Sequence, residues 1–400
     1  MTLTVMKRRA STIRMAETLV QTCRRHGHEV VRTLGEGHFG RVLMTRSEPL
    51  GTLHALKVVP LSRVRSWTWM TEDEWSEAVA QHQKITDFVN FQLGPGIARE
   101  EMSKACDVLA SRINEVKHAE LPALGGDSFV PLVRRDISER EILLRLKEHP
   151  FVVGLESTFE DEEISYMVME YLPHGTLRRL MPPGDRMRVG AARFYAAELI
   201  ELLDFMAGSE SEHHVTHRDI KPENILIRES GHIALADFGL STRLKSNLHT
   251  FCGTAEYIPP EMLLSKTWEA APVDVWALGA MLYEMLVGRP PFATDPNADA
   301  QEIFMACMMD EPKFPDDVDL HAKELIRNLL QKDASKRATA SEAKGSPFFD
   351  GVQWEELQKC EHLVPFTPPP IDESEVAVHE TLDLSFAPIL EDGAAASSKT

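Results

Sequence analysis

Residues His217 to Leu226 read HRDIKPENIL, which sets a carboxylate, an ammonium and a side-chain amide close together in the chain. Packing alone accounts poorly for this stretch, because Pro222 breaks a local helix and charged side chains crowd together. Chemistry accounts for more. Asp219 is placed to accept a proton, Lys221 to neutralise phosphate, and Asn224 to hold a metal just before an apolar strand. Such roles require partners elsewhere in the chain.

Candidates stand on both sides. Gly35-Glu36-Gly37-His38-Phe39-Gly40 lies between strand-like segments, and glycines let backbone N–H groups approach phosphates. A dinucleotide fold requires a helix straight after such a loop. Here RVLMTR continues as strand, so the loop reads as a hairpin flap over phosphates. Lys57 follows Gly40 by 17 residues in HALKVV, an apolar strand in which a lone lysine ordinarily faces solvent. Asp237-Phe238-Gly239 comes 13 residues after Asn224, behind the apolar HIALA, and taken singly is a common turn. TFCGTAEYIPPE, Asp274 in VDVWALG and Arg337 in DASKRAT complete the ordered series.

These groups need a body to position them. A chain of 400 residues, 43% apolar, is long enough for two or three domain-sized lobes with real cores. No apolar run reaches the roughly 20 residues of a membrane-spanning helix; the longest candidate, Val275 to Val287, is interrupted by Glu284. A net charge of -19 argues against general nucleic-acid binding. Five scattered cysteines with no CxxC pair suit a reducing compartment and argue against a disulfide framework or structural zinc. The expectation is a cytoplasmic protein, with a nuclear or, on the basic start MKRRASTIRM, a mitochondrial setting as alternatives. The same basic start also reads as a helix packing on the domain behind it.

Val30 to Val59 is strand-rich, alternating around glycines. Leu61 to Arg135 reads as a two-helix insert: Trp75, Ala78, Val79, His82, Ile85 and Val89 recur at helical spacing, and Met102, Ala105, Leu109 and Val116 repeat the pattern after LGPG. A helix is expected over Ile137–Leu146, strands around Val152–Phe159 and Ile164–Glu170, and helices over Gly190–Ala207, Val273–Val287, Gln301–Met309 and Ala322–Leu330. Strands first and helices later predict an α+β protein with a small β-rich lobe and a larger helical lobe. From Val364 the chain turns proline-rich and acidic, the composition of an extended segment.

The ordered series resembles the signature set of the eukaryotic protein kinases. Within them it is most similar to the AGC group and its cyclic-AMP-dependent family, through YMVMEYLPHGTL, TFCGTAEYIPPE, ALGAMLYEMLVGRPPF and LIRNLLQKDASKR. SPFFDGVQWEEL and VPFTPPP resemble the start of an AGC tail. The resemblance runs from about Glu29 to Pro370, apart from the insert. It implies the bilobal protein-kinase fold, with a basic arm over 1–28, a catalytic domain over 29–349 carrying the insert at about 61–135, and an AGC-type tail over 350–400.

It also implies roles. Gly35, Glu36, Gly37, His38, Phe39 and Gly40 would cover the phosphates of ATP, with Leu34, Val42, Ala55 and Leu226 lining the base. Lys57 would bind the α- and β-phosphates and pair with Glu139; Glu141 is the rival, and Glu139 is preferred because Leu143 then falls one turn on. Met169 would gate the adenine pocket, with backbone contacts from Glu170 and Leu172. Asp219 would orient the substrate hydroxyl and take its proton, Lys221 would steady the γ-phosphate, and Asn224 and Asp237 would hold Mg²⁺. Oxygen donors suit Mg²⁺, where zinc would want His or Cys.

Lys221 with Thr254 resembles the serine/threonine pattern. Thr250, 13 residues after Asp237, stands where AGC kinases carry an activating phosphothreonine, with Arg218 and Arg243 as phosphate partners. Glu223 and Glu284 match acidic positions that receive substrate arginine, while Thr176 replaces a third such acid. The implied substrates are protein or peptide Ser/Thr hydroxyls with basic residues before them. Ser11 behind Arg8-Arg9 is a candidate autophosphorylation site, with an exposed basic arm as the plainer reading. A cyclic-nucleotide-binding regulatory subunit and an upstream activating kinase are the implied partners.

The sequence departs from the family at three places. Pro259 stands where alanine is usual before Pro260-Glu261, although Glu261 can still pair with Arg337. The tail lacks a Phe-x-x-Phe ending, and the insert replaces a short connection, at small cost in loop entropy. The insert is either a tolerated segment or a regulatory one. The alternative from another class is a pseudokinase scaffold, but such scaffolds typically lack the lysine, the base or the metal Asp, and all three are present.

Overall fold

The computed structural model describes residues 17–37, 40–48, 50–61, 139–208, 215–243, 254–264, 271–293, 298, 300–362 and 364. His38, Phe39, Ser11, Thr250, the insert beyond Leu61 and the tail beyond residue 364 lie outside the described residues.

A helix over residues 17–25 (α1) leads into β1 (His28–Gly37), β2 (Gly40–Ser47) and β3 (Leu53–Pro60). Helix α2 (Glu139–Leu146) follows, then β4 (Leu155–Glu160) and β5 (Ile164–Glu170). The strands form one antiparallel sheet in the order β1-β2-β3-β5-β4. Leu19 and Cys23 of α1 are fully buried in a cluster with Leu56 and Val58 of β3 and Tyr166 and Val168 of β5. Helix α1 therefore covers one face of the sheet, while the basic stretch MKRRASTIRM before it lies outside the described residues. Burying Leu19 contributes about 2 kcal/mol.

That packing decides where Lys57 points. Successive strand side chains alternate between faces. With Leu56 and Val58 committed to α1, Lys57 is turned to the opposite face, where Ala55 packs against the larger core. The lysine is 6% exposed, so the solvent-facing habit of a strand lysine does not hold here.

The larger lobe is helical. It contains α3 (Val189–Ala207), α4 (Pro260–Leu264), α5 (Ala271–Val287), α6 (Ala300–Met309), α7 (Leu320–Leu329), α8 (Ala340–Lys344) and α9 (Trp354–Gln358). Helix α5 is buried on every side from Val273 to Val287, as expected of an all-round apolar helix at the centre of a lobe. α3, α7 and α8 gather around this centre, α8 through its contact with α3. Gly279 permits the close approach of α7, because a Cβ there would stand 2.8 Å from Leu329 Cβ. A short antiparallel pair, β6 (Val215–Thr216) with β9 (Thr242–Arg243), encloses a hairpin of β7 (Ile225–Ile227) with β8 (Ile233–Leu235), and together they carry the loops that face the small lobe. The architecture is the bilobal α+β arrangement that the sequence resemblance implied.

One boundary differs from expectation. The strand placed around Val152–Phe159 begins at Leu155. The preceding residues bond across to the other lobe, Val153 N–H to Leu235 O at 3.0 Å and Leu235 N–H to Phe151 O at 2.8 Å. An apolar run cannot reveal which of two partners its backbone will choose.

Candidate active site

Lys57 Nζ donates to Glu139 Oε1 at 2.6 Å and Oε2 at 2.8 Å, and to Asp237 Oδ1 at 2.6 Å. Glu139 opens α2 and is 6% exposed, whereas the rival Glu141 is exposed on the same helix. Helix α2 is seated on the larger core: Ile142, Leu143 and Leu146 join the cluster that also holds Phe238, beside Asp237. Burial alone would pull the Lys57 ammonium down, but Asp237 and Glu139 carry it above the ordinary lysine value. Burial would likewise raise Asp237, but the attraction of Lys57 wins and holds it at about 2. Both groups are charged at neutral pH.

The HRDIKPENIL segment is fastened from below. Asp274, buried in α5, accepts from Thr216 Oγ1 at 2.8 Å, His217 N–H at 2.7 Å and Arg218 N–H at 2.8 Å. Burial raises the Asp274 carboxyl, and these hydrogen bonds oppose the rise. His217 Nε2 bonds Ala236 O at 3.0 Å, and its Nδ1 accepts from Asp219 N–H at 3.3 Å. These contacts fit one neutral tautomer, with the proton on Nε2. Asp219, 9% exposed, receives Lys221 Nζ at 2.8 Å and Asn224 Nδ2 at 2.9 Å on the same oxygen, Oδ2. Lys221 also reaches Thr254 Oγ1 at 3.0 Å.

Two backbone features were invisible in the sequence. Arg218 and Asp237 both lie in the left-handed region, at φ 68° and 61°, which costs a non-glycine residue on the order of 1 kcal/mol. They stand on either side of the β7–β8 hairpin. Within it, Ala236 N–H bonds Asn224 O at 2.9 Å. Asn224 therefore lies opposite the residue before Asp237, and the two candidate metal residues are carried by one hairpin.

The donor set fits Mg²⁺. Asn224 turns its Nδ2 inward to Asp219 O, at 2.8 Å, and to Oδ2, which leaves its amide oxygen for a ligand; Asp237 adds carboxylate oxygen. Among the described residues there is no group of three or more His, Cys, Asp or Glu side chains suited to enclosing a metal. Two oxygen donors completed by phosphates and water is the coordination Mg²⁺ favours.

Register brings the expected lining together. Val42 pairs with Lys57, and Ala55 with Met169. Leu34 lies in β1 opposite the start of β2, and Leu226 bridges Thr176. Leu34, Val42, Ala55, Leu172 and Leu226 are all partly buried, as the lining of an open cleft would be, and Met169 is buried. Glu170 N–H is already donated to Gly154 O at 3.0 Å, so a base can meet only its carbonyl. The Glu170 side chain accepts from Gly154 N–H at 2.6 Å and pairs with Arg228. Gly35 and Gly37 lie in β1 and Gly40 opens β2, a hairpin as expected. Gly40 and Gly35 differ in cause. A Cβ at Gly40 would stand 2.1 Å from Val58 O, so β3 demands glycine there, while Gly35 has open space around it. Glu36 is placed in β1 by its backbone alone.

The acidic pair is occupied. Arg178 Nε donates to Glu223 Oε1 at 2.6 Å and Nη1 to Glu284 Oε1 at 2.6 Å. Its Nη2 donates to Tyr257 OH at 2.9 Å. Sequence reasoning missed Arg178. Its signal was a charge reversal two residues after Thr176, in the segment where a third acid was expected. Farther out, Arg337 donates Nη1 to Glu261 Oε1 at 2.6 Å and Nη2 to Oε2 at 2.9 Å, so the pairing expected despite Pro259 is present.

Residues 127–349, more than half of the chain, match the protein kinase domain family, and the chain belongs to that family. A probable serine/threonine-protein kinase of Dictyostelium discoideum is 38% identical over 238 residues, 58% of this chain and 50% of that protein. A cAMP-dependent protein kinase, catalytic subunit-like, of Caenorhabditis elegans is 34% identical over 236 residues, 58% of this chain and 57% of that protein. The cAMP-dependent protein kinase catalytic subunit of Dictyostelium discoideum is 36% identical over 236 residues, 58% of this chain and 35% of that protein. The chain thus spans between 35% and 57% of the length of these three relatives.

Proposed function

We propose that this chain is an ATP-dependent protein serine/threonine kinase of the cyclic-AMP-dependent type. The observation that carries the reading is the convergence of Lys57, held between Glu139 and Asp237, with Asp219, capped by Lys221 and Asn224, at the meeting of the two lobes. Phosphoryl transfer needs little covalent chemistry from the protein; positioning and charge neutralisation supply most of the rate. Lys57 is a fixed cation for the α- and β-phosphates, kept in line by Glu139. Asp219 orients the acceptor hydroxyl and takes its proton as the γ-phosphate moves. Lys221, shared between Asp219 and Thr254, offers positive charge on the side of the transferring group. Mg²⁺ held by Asn224 and Asp237 would neutralise charge on the β- and γ-phosphates. A pseudokinase scaffold is disfavoured because every group the transfer requires is present and paired.

Phosphorylation of Thr250 is part of the proposal. Arg218 spends Nε on Leu240 O at 2.6 Å, while its Nη2 is buried without a partner among the described residues. A guanidinium nitrogen in that condition supports capture of a phosphate, with Arg243 on β9 as a second cation. A cyclic-nucleotide-binding regulatory subunit is proposed as a partner because two of the relatives are named as cAMP-dependent catalytic subunits or as similar to one, and an upstream activating kinase is proposed as the source of the Thr250 phosphate.

The test is transfer of γ-labelled phosphate from ATP to a Ser/Thr peptide library by the full chain, with Asp219→Asn as control. Labelled peptide that falls by on the order of 10²–10⁴-fold in the control is expected. Labelling equal in the two proteins, or none in either, overturns the reading.

A further inference from the structure

We propose that Arg178 is a built-in occupant of a guanidinium receptor beside the catalytic base, and that it withholds Glu223 and Glu284 from arginine in the substrate. The inference rests on the kinase reading above and names the specificity of that same site. It turns the expected preference for basic residues into a latent property.

The receptor is built from three elements. Glu284 comes from the buried helix α5 and is 6% exposed. Glu223 comes from the turn after Lys221, four residues from Asp219, with its side chain 45% exposed. Tyr257 follows Thr254 and donates its hydroxyl to Glu284 Oε2 at 2.5 Å. Two carboxylates and a phenol oxygen around one point match the planar fork of a guanidinium. Arg178 fills that fork. Besides the three bonds already given, its Nη2 lies 3.4 Å from Glu284 Oε2. Glu284 thus has both oxygens engaged within the chain, and Glu223 has one.

The position is held firmly. Leu177, next to Arg178, is fully buried, and Thr176 bridges Leu226 in β7. Ile227 N–H bonds Gly175 O at 2.9 Å. The Arg178 side chain is 27% exposed, so it stands at the mouth of the acidic site. Burial by itself would lower the guanidinium's affinity for its proton, but Glu284 and Glu223 raise it, and the cation persists at any working pH. An incoming arginine therefore meets two carboxylates already offset by one positive charge, and it must displace a tethered competitor. Competition of that kind weakens selection without removing the site.

The experiment compares matched Ser peptides carrying either arginine or its neutral isostere citrulline at the three positions before the acceptor. The wild-type full chain is expected to discriminate less than about 3-fold in kcat/KM. Arg178→Met is expected to raise that ratio at least about 10-fold, and Arg178→Met with Glu284→Gln to abolish the gain. Because Arg178→Met strips the partner from a buried carboxylate, Arg178→Gln serves as a second variant that keeps amide donors and must show the same direction. Binding of a fluorescent arginine peptide, read by anisotropy, is measured beside it and needs no catalysis. Tighter binding by the Arg178 variants than by wild type is the expected result. Equal binding, or a wild type that already favours arginine 10-fold, overturns the inference even if transfer is intact. Enhanced binding with no transfer to any peptide upholds it and sinks the kinase reading alone.

Discussion

Lys57 Nζ stands 2.6 Å from Asp237 Oδ1, a bond that joins the small-lobe sheet to the hairpin end of the large lobe across 180 positions of sequence. The same nitrogen is pinned from behind by Glu139. One ammonium therefore reports whether the two lobes and helix α2 are in register.

Replacing Lys57 by Met removes a fixed cation from the phosphates and is expected to lower kcat on the order of 10²–10³-fold. It also leaves Glu139 buried and unpaired, at about 3 kcal/mol of stability. Adding Glu139→Gln is expected to restore most of the stability and none of the activity. Urea titration beside a peptide assay checks both; a double variant as unstable as the single one contradicts the pairing.

The Asp237 carboxyl is held at about 2, below the 3.8 of a free carboxyl. Its ion pair thus contributes fully above the unfolded value and is lost as pH falls from about 4 through 2. Lys57 is shifted upward, so its share is lost only above the ordinary lysine range. Stability is accordingly expected to be insensitive to this pair between pH 6 and 8, on the order of a few tenths of a kcal/mol. Asp237→Asn should flatten the acid limb of a stability-versus-pH curve. An unchanged limb contradicts this assignment.

Arg337 and Glu261 form a bidentate pair, with Arg337 5% exposed and its guanidinium 4.9 Å from the Trp276 ring centre. Removing either partner strands the other in a buried setting, so Arg337→Met is expected to cost about 3–5 kcal/mol. Replacing both partners with apolar residues should recover part of the loss. A denaturant midpoint unmoved by Arg337→Met would show the pair to be incidental.

Gly40→Ala drives a methyl to 2.1 Å from Val58 O and should part β2 from β3, costing about 1–3 kcal/mol. Gly35→Ala meets open space and should leave stability within about 0.5 kcal/mol of the parent. Any effect of Gly35→Ala then falls on the KM for ATP. Thermal melts with and without nucleotide distinguish the two glycines.

Thr250→Ala is expected to lower kcat at least about 10-fold, because the phosphate that would satisfy Arg218 is lost. Intact-mass analysis of active protein should show one added phosphate that maps to Thr250. Full activity in the variant, or active protein free of phosphate there, removes Thr250 from the mechanism.

Much of the site was legible because its parts are short and local. HRDIKPENIL, Asp237-Phe238-Gly239 and the glycine run each hold their chemistry within a few residues, and their order along the chain selected one fold and one reaction class. Helix periods likewise located α3, α5, α6 and α7 to within a residue or two. Glu139 could be chosen over Glu141 from the position of Leu143 on the same helix face.

Other features depended on contacts between distant segments. The burial of Lys57 follows from α1 claiming the opposite face of β3, a fact absent from HALKVV itself. The left-handed backbones of Arg218 and Asp237 arise where surrounding hydrogen bonds outweigh local preference. Arg178 acquires its role only where the fold sets Glu223, 45 positions on, and Glu284, 106 positions on, around its guanidinium. Residue type and spacing encode what a segment offers. Which charges meet, and which are thereby already used, depends on through-space distances of a few ångströms that one-dimensional spacing does not carry.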